Sequence, residues 1–240
     1  MGALASRTPS RGAHAGRLYH ERMPLPEFPR ENATLTLAGP SGPLEVCVEW
    51  PEADVAPLAL TAIVCHPLPT EGGTMHNKVV VMAARSLREL GAVTVRFNFR
   101  GTGQSAGQFD QGEGESADLL AVANWVRGQR TGRLWLAGFS FGAYVSLRST
   151  PQIQPDALIS IAPPVGRWPF DFDMPACPWL VIQGEEDEIV DPQAVYAWID
   201  GLADPPELIR MPETSHFFHR KLMDLRGAIK HAMKAWLPEA

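Results

Sequence analysis

Short, mostly apolar runs that alternate with stretches of helical character constrain the fold of this chain more than any other feature. Apolar strands between helices are typical of a parallel sheet covered on both faces, because each crossover lays a helix against the sheet. Six runs are predicted to be strands of such a sheet: Thr61–Cys65, Val93–Phe99, Leu134–Ala137, Leu158–Ile161, Trp179–Ile182 and Glu207–Arg210.

Two earlier runs, Ala33–Ala38 and Leu44–Trp50, alternate apolar and polar residues around a Gly/Pro-rich turn, which predicts an antiparallel hairpin. The sheet should therefore have about eight strands, mostly parallel. The first helix is expected to stop at Gly91, since glycine suits the residue that follows a helix. Helices are predicted near Lys78–Leu90, Ser116–Gln129, Phe141–Ser149, Pro192–Leu202 and Leu222–Trp236.

The length of 240 residues fits one α/β domain, which is predicted over residues 31–240. Residues 1–30 carry five arginines against two glutamates and lack the apolar core of a secretory signal. This segment is predicted to be a disordered extension, with an organellar transit peptide or an over-long start of the reading frame as alternatives. No function is assigned to it.

Charge and cysteine content exclude several classes of partner. A net charge of −6 argues against nucleic acid, and no apolar run approaches the roughly 20 residues needed to cross a bilayer. Cys47, Cys65 and Cys177 do not have metal-ligand spacing, so neither a metal nor a cofactor is expected. Cys47 and Cys65 should be buried, inert thiols, and the pattern favours a reducing, cytoplasmic compartment.

The pentapeptide Gly138-Phe139-Ser140-Phe141-Gly142 has the pattern Gly-x-Ser-x-Gly. The pattern alone is weak evidence in a chain with 21 glycines, but here it joins a predicted strand to a predicted helix. Such a turn presents the serine hydroxyl at a helix N-terminus, where backbone N–H groups favour a developing oxyanion. Ser140 is therefore the predicted nucleophile.

A serine nucleophile needs a base, and the base needs an orienting carboxylate. Asp187 follows the glycine turn after strand Trp179–Ile182 and is the favoured acid, and His216 follows strand Glu207–Arg210 and is the favoured base. The rival acids and bases are Glu185, Glu186, Glu188, Asp191, His219 and His231.

The oxyanion hole is predicted from the loop after strand Thr61–Cys65. One donor should be the N–H of Phe141, directly after the nucleophile. Pro67 and Pro69 have no N–H, which leaves Leu68 as the second donor. His66 is expected to hold the loop in place.

Two further loops carry weaker predictions. Arg100 and Asn98 are candidate substrate ligands, but Arg100 is more readily explained as fixing the glycine-rich loop together with Asp110. About 15 residues separate Ala162 from Pro178, too few for a helical cap, so the site should be open. Three aromatic residues in that loop are predicted either to line an acyl pocket or to pack in the core: Trp168, Phe170 and Phe172.

Several stretches, taken together with the serine motif, resemble a group of small, cap-less bacterial α/β-hydrolases. The resemblance covers roughly Ala33 to Leu237 and implies the α/β-hydrolase fold, with Ser140, Asp187 and His216 as nucleophile, acid and base. Two departures are Leu68, where that group commonly has a second His, and Arg220, where it has Gly. The stretches are Val64–Pro69, Gly72–Val80, Arg96–Ser105, Gly107–Asp110, Gly112–Glu115 and Gly138–Gly142.

These features predict a serine hydrolase that cleaves small acyl esters through an acyl-enzyme, with a small-molecule ester as its only expected partner. Thioesterase, acyltransferase and peptidase activities use the same triad and remain alternatives. A non-catalytic binding protein that has kept the fold is the alternative from another class.

Overall fold

The computed structural model describes residues 25–238. Its core is one eight-stranded sheet with strand order β1-β2-β4-β3-β5-β6-β7-β8. Strands β1 and β2 form the predicted hairpin, β2 runs antiparallel to β4, and β3 to β8 are mutually parallel. The strands are β1 (Ala33–Gly39), β2 (Gly42–Glu49), β3 (Leu60–Cys65), β4 (Val93–Phe97), β5 (Arg133–Phe139), β6 (Ala157–Ile161), β7 (Trp179–Gly184) and β8 (Glu207–Met211).

Between residues 25 and 238 six α-helices accompany the sheet, and the five predicted ones are confirmed with small shifts of their ends. The short helix α4 was not predicted. Short 3-10 turns lie at Pro69–Glu71 and Lys234–Trp236. The helices are α1 (Lys78–Arg88), α2 (Glu113–Gln129), α3 (Phe141–Arg148), α4 (Thr150–Ile153), α5 (Pro192–Asp200) and α6 (Leu222–Met233).

The helices cover the sheet on both faces, which is why its central strands β3, β4, β6 and β7 are buried along their whole length. On β3, Ile63 and Cys65 belong to a core cluster shared with α2, α3 and α5, whereas Ala62 and Val64 face the cluster shared with α1 and α6. Burying both faces removes every side chain of β3 from water. The predicted fold class, an α/β-hydrolase fold without a cap, is confirmed.

The loop between β6 and β7, residues 162–178, contains no helix and one isolated bridge, between Val165 and Trp168. The cap is absent because this loop is too short to contain one. Because the chain leaves β3 toward β4 and then returns to place β5 on the other side of β3, the carboxyl edge of the sheet opens between diverging loops, where ligands bind in such folds.

Residues 25–30, which were predicted to belong to the disordered extension, pack on the domain. The indole N–H of Trp125 donates to the carbonyl oxygen of Pro26 at 2.8 Å, and that of Trp50 donates to Pro29 at 3.0 Å. The ring of Phe28 stacks on Trp125 at 5.0 Å. The rest of the predicted extension, residues 1–24, lies outside the described residues.

The three cysteines are free thiols. Cys65 is buried as predicted, and burial raises its pKa to about 12. The prediction for Cys47 was wrong in part: it is half-buried on β2, beside the guanidinium of Arg96, because only one side of that strand faces the core. Over residues 25–238, no helix combines the length and apolar character needed to span a membrane.

Candidate active site

Ser140 occupies a tight turn between β5 and α3 with φ 52° and ψ −118°. L-residues rarely adopt these angles, so the backbone is strained there, and the surrounding packing must hold it. A Cβ on Gly138 would lie 2.2 Å from the carbonyl oxygen of Gly142, and one on Gly142 would lie 2.3 Å from that of Cys65. Both glycines are therefore required for strand and helix to approach this closely.

His216 lies in the loop after β8 and faces the nucleophile. Its Nε2 is 3.1 Å from Ser140 Oγ, and its Nδ1 is 2.8 Å from Asp187 Oδ2. Since the carboxylate accepts from Nδ1–H, Nε2 is left without a proton and can accept one from the serine hydroxyl. Ser140 lies 76 positions before His216 in the chain and Asp187 lies 29 positions before it, and the structure brings the three side chains together.

The Asp187 carboxylate is buried and fully hydrogen-bonded. Besides His216, it accepts from the backbone N–H groups of Ile189 at 2.9 Å and Val190 at 2.7 Å, and from Gln183 Nε2 at 3.0 Å. Burial by itself raises the pKa of this carboxyl, but the hydrogen bonds from His216, Val190 and Ile189 outweigh it and hold the pKa below its usual value. Asp187 is therefore an anion that can stabilise an imidazolium.

Two residues that orient this pair were missed by the sequence analysis. Gln183 is buried at the end of β7 and donates to Asp187, and Glu188 accepts from the backbone N–H of His216 at 3.0 Å. A buried polar residue at the end of a strand, four positions before the acid, was the available signal for Gln183. For Glu188 there was none beyond its place in an acidic loop.

The rival residues take other positions. Glu185 and Glu186 are exposed, and Asp191 caps α5 by accepting from the N–H of Gln193. His219 and His231 are both exposed, and neither hydrogen-bonds to Ser140. Asp187 is the buried one of the acidic residues between positions 185 and 191, which explains why it alone reaches the imidazole.

The two predicted oxyanion donors lie on either side of this turn. Phe141 is the first residue of α3, and Leu68 is half-buried in the loop after β3. Within residues 25–238, neither backbone N–H donates to a protein acceptor. Both are thus free to bind a developing oxyanion.

His66 anchors the oxyanion loop, as predicted. Its Nδ1–H donates to the carbonyl oxygen of Pro67 at 2.7 Å, and its Nε2 accepts from the N–H of Phe99 at 3.0 Å. The second bond requires the neutral imidazole, because Nε2 can accept a hydrogen bond only while it carries no proton. Burial lowers its pKa to about 4 from an ordinary value of 6.5.

This buried imidazole predicts a loss of stability in acid. Between pH 6.5 and 4 the unfolded chain binds a proton at His66 that the folded chain does not, so the free energy of unfolding falls as the pH falls. We expect the difference in that free energy between the wild type and His66→Asn to shrink by about 2 kcal/mol from pH 7 to pH 5. Urea unfolding at both pH values measures it, and a constant difference would contradict the prediction.

Arg100 is structural, but its main partner differs from the predicted one. Its guanidinium donates to both carboxylate oxygens of Asp118, at 3.0 and 2.8 Å, and its backbone N–H donates to the same group at 3.0 Å. The contact with Asp110 is longer, 3.8 Å, and exposed. Asn98 is also structural, since its side chain bonds Met75 and Glu45.

The aromatic residues of the β6–β7 loop form a continuous cluster. Trp168 packs against Phe141 with ring centroids 4.9 Å apart, and against Tyr144 at 5.2 Å. Phe170 and Phe172 lie further along, against Tyr144 at 5.6 and 5.9 Å. Trp168 thus adjoins the residue after the nucleophile. The two phenylalanines pack on Tyr144 of α3 and on each other, and Phe170 also packs on Trp198 of α5, with ring centroids 5.0 Å apart.

The fold together with a serine, histidine and aspartate in one hydrogen-bonded line is that of an α/β serine hydrolase. A family model of X-Pro dipeptidyl-peptidases, the S15 family, matches residues 73–170, a stretch that includes Ser140 but ends before Asp187 and His216.

Three relatives match over most of their lengths. An α/β serine hydrolase without a lid from Xanthomonas campestris is 66% identical, with TM-score 0.87 over 90% of this chain and 99% of that one. An α/β serine hydrolase homologue from Coxiella burnetii is 42% identical, with TM-score 0.80 over 86% of this chain and 100% of that one. An uncharacterized protein of Rickettsia prowazekii is 33% identical over 205 residues, which cover 80% of this chain and 84% of that protein. The chain belongs to the family of small α/β serine hydrolases that lack a lid.

Proposed function

We propose that this hydrolase cleaves small acyl esters, with Ser140 as nucleophile, His216 as general base and Asp187 as the carboxylate that orients and stabilises the imidazole. The observation that carries the proposal is the hydrogen-bonded line from Oγ through Nε2 and Nδ1 to Oδ2, with separations of 3.1 and 2.8 Å. These distances are those at which a base takes a proton from a serine hydroxyl.

The reaction would proceed in two acyl transfers. His216 Nε2 takes the hydroxyl proton as Oγ bonds to the ester carbonyl carbon, and the carbonyl electrons move onto its oxygen. When the tetrahedral intermediate collapses, the bond from carbon to the alcohol oxygen breaks, and His216 gives its proton to that oxygen. Water, deprotonated by the same nitrogen, then attacks the acyl-serine, and the acid and the free serine are released.

The oxyanion of each intermediate would be bound by the N–H groups of Phe141 and Leu68, which have no other acceptor in the described part of the chain. Removal of one such donor typically slows acyl transfer about 100- to 1000-fold. Because the Phe141 N–H begins α3, the helix dipole adds to this stabilisation.

The proposed preference for small esters rests on the residues that would contact the acyl group of the substrate. Trp168 and Phe109, both half-buried, pack on each other and on the buried ring of Phe141, the residue after the nucleophile, with ring centroids 4.9 to 6.3 Å apart. We assign this apolar wall to the acyl side of the site. The loop 162–178 contains no helical cap that could enclose a long acyl chain. An apolar wall of this kind suits a short acyl group, which it removes from water.

Labelling by a fluorophosphonate tests the proposal directly. The wild type should be labelled at one serine, and Ser140→Ala should lose the label and the hydrolysis of short aryl esters. Ser215→Ala is the matched control, since it removes a half-buried hydroxyl next to the base. Unchanged labelling of Ser140→Ala, or a folded wild type that is inert to the probe and to every ester, would refute the proposal.

A peptidase is the second candidate, and the family match over residues 73–170 favours it. The same triad attacks amides, but the leaving amine must be protonated before the C–N bond breaks. A panel of aryl esters, acyl thioesters and X-Pro amides with a shared reporter group separates the candidates by their kcat/KM values. Faster turnover of X-Pro amides than of esters would replace the ester proposal with the peptidase.

A further inference from the structure

A groove of about 560 Å³ lies between the start of α1 and the loop that follows His216. We call it the Lys78–Arg220 groove. Its walls include four basic or imidazole side chains and no carboxylate. The residues that matter here are Thr74, His76, Lys78, Phe217, His219 and Arg220.

The two permanent cations of the groove have no carboxylate partner. Neither Lys78 nor Arg220 forms an ion pair with any residue in the range 25–238. The neighbouring carboxylates of Glu213 and Asp224 are 3.6 and 3.9 Å from Lys221, which does not line the groove. In a chain with a net charge of −6, a concave surface with uncompensated positive charge is a local exception.

The backbone of Arg220 is strained. Its φ is +60°, in the left-handed region that favours glycine. This chain instead has a long cationic side chain at that position. The chain therefore keeps a charged side chain at a position where its backbone is strained.

The groove adjoins the side of the active site from which the alcohol departs. Phe217 lines it, and the ring of Phe217 lies 5.0 Å from that of His216. On the other wall, Gly72 and Thr74 flank Gly73, whose N–H donates to the carbonyl oxygen of Leu68. The leaving oxygen must accept its proton from His216, so the alcohol lies toward that imidazole, whereas the aromatic wall around Trp168 faces the acyl group.

We propose that the Lys78–Arg220 groove binds a carboxylate or phosphate carried on the leaving alcohol, so that the preferred substrates are small acyl esters of anionic alcohols. The inference rests on the proposed ester hydrolysis and adds the class of alcohol to it. Asn77 accepts from the N–H groups of Val79 and Val80, so the end of α1 is already capped and the side chains supply the charge.

Paired esters with a common acetyl group test this preference. We expect the wild type to hydrolyse 1-acetylglycerol 3-phosphate and 3-acetoxypropanoate with a higher kcat/KM than the neutral 1-acetylglycerol and 3-acetoxypropanamide. Lys78→Gln and Arg220→Gln should each lower kcat/KM for the anionic esters about fivefold, through KM, because the charges are exposed to solvent. The values for the neutral esters should not change, and added salt should weaken only the anionic preference.

Two further variants separate binding from folding. Lys221→Gln removes the adjacent cation, which lies outside the groove. This variant should still prefer each anionic ester over its neutral counterpart. Arg220→Gly relieves the positive φ, so its melting temperature should equal or exceed that of the wild type although the anionic preference is lost. Equal turnover of anionic and neutral esters by the wild type, or equal losses on both in the groove variants, would overturn the inference.

An equilibrium measurement keeps the test independent of catalysis. Glycerol 3-phosphate titrated into the Ser140→Ala protein should shift the amide resonances of Gly72 and Thr74, and the shifts should vanish in Lys78→Gln/Arg220→Gln. If no ester is hydrolysed but these shifts occur, the ester proposal fails and the anion site stands. If esters are hydrolysed and no shifts occur, the anion site fails alone.

Discussion

Replacing His216 with Ala should lower kcat for a short aryl ester by about 10⁴- to 10⁶-fold while leaving the fold intact. Among residues 25–238 the imidazole is the only side chain that hydrogen-bonds to Ser140 Oγ, at 3.1 Å, and without it the hydroxyl has no base near neutral pH. Steady-state kinetics measure the loss, and circular dichroism verifies the fold.

The triad should also behave as one unit. Ser140→Ala/His216→Ala should be no slower than either single variant, because each removes the same attack. Asp187→Asn should reduce kcat about 10⁴-fold, since the amide favours the wrong imidazole tautomer. His219→Ala is the matched control and should retain near wild-type kcat. A His216→Ala enzyme with more than a tenth of the wild-type kcat would contradict this assignment of the base.

Asp118→Ala should reduce the free energy of unfolding by about 3–5 kcal/mol, the typical cost of leaving one buried charge without its partner. Asp118 is fully buried, and its carboxylate accepts three hydrogen bonds from Arg100, two from the guanidinium and one from the backbone. The variant would leave a largely buried cation and a backbone N–H without an acceptor. Urea unfolding measures the change.

A double variant distinguishes a buried ion pair from simple packing loss. Arg100→Met/Asp118→Leu should be less destabilised than the sum of the two single changes, because no charge is left unpaired. Arg85→Ala, which breaks an exposed pair with Glu89, should cost less than about 1 kcal/mol. A strictly additive double variant would show that the two side chains do not act as a pair.

The order of strands and helices could be predicted because it depends on local patterns. Apolar runs with alternating helices indicate a buried parallel sheet wherever they occur, and the hairpin at the start of the sheet follows from a Gly/Pro-rich turn. Two details of the helices were not predicted. Helix α4 is only four residues long, too short to show a helical pattern. Helix α2 begins three residues before its predicted start, because the Glu115 side chain accepts from the N–H of Gly112.

The elbow could be predicted for a similar reason. Gly138 and Gly142 flank Ser140 in sequence, and a Cβ on Gly138 would clash within the strand–turn–helix unit itself, with Gly142. Only the clash of a Cβ on Gly142 involves another element, the end of β3 at Cys65. The partner of Arg100 could not be predicted in this way. Asp110 is ten residues away and polar, but Asp118 lies on a helix whose rotation toward the sheet is set by its packing against β1 and α3.

The sequence by itself determined the layered α/β architecture, the strained serine turn and the set of residues from which acid and base are drawn. Only the tertiary structure decided which imidazole meets Ser140 and which carboxylate meets that imidazole. It also decided that Gln183 and Glu188 orient this pair and that Lys78 and Arg220 share one groove. The reason is physical: backbone propensity and hydrophobic period act over a few residues, whereas these contacts join loops at one edge of a sheet whose strand order only long-range packing establishes.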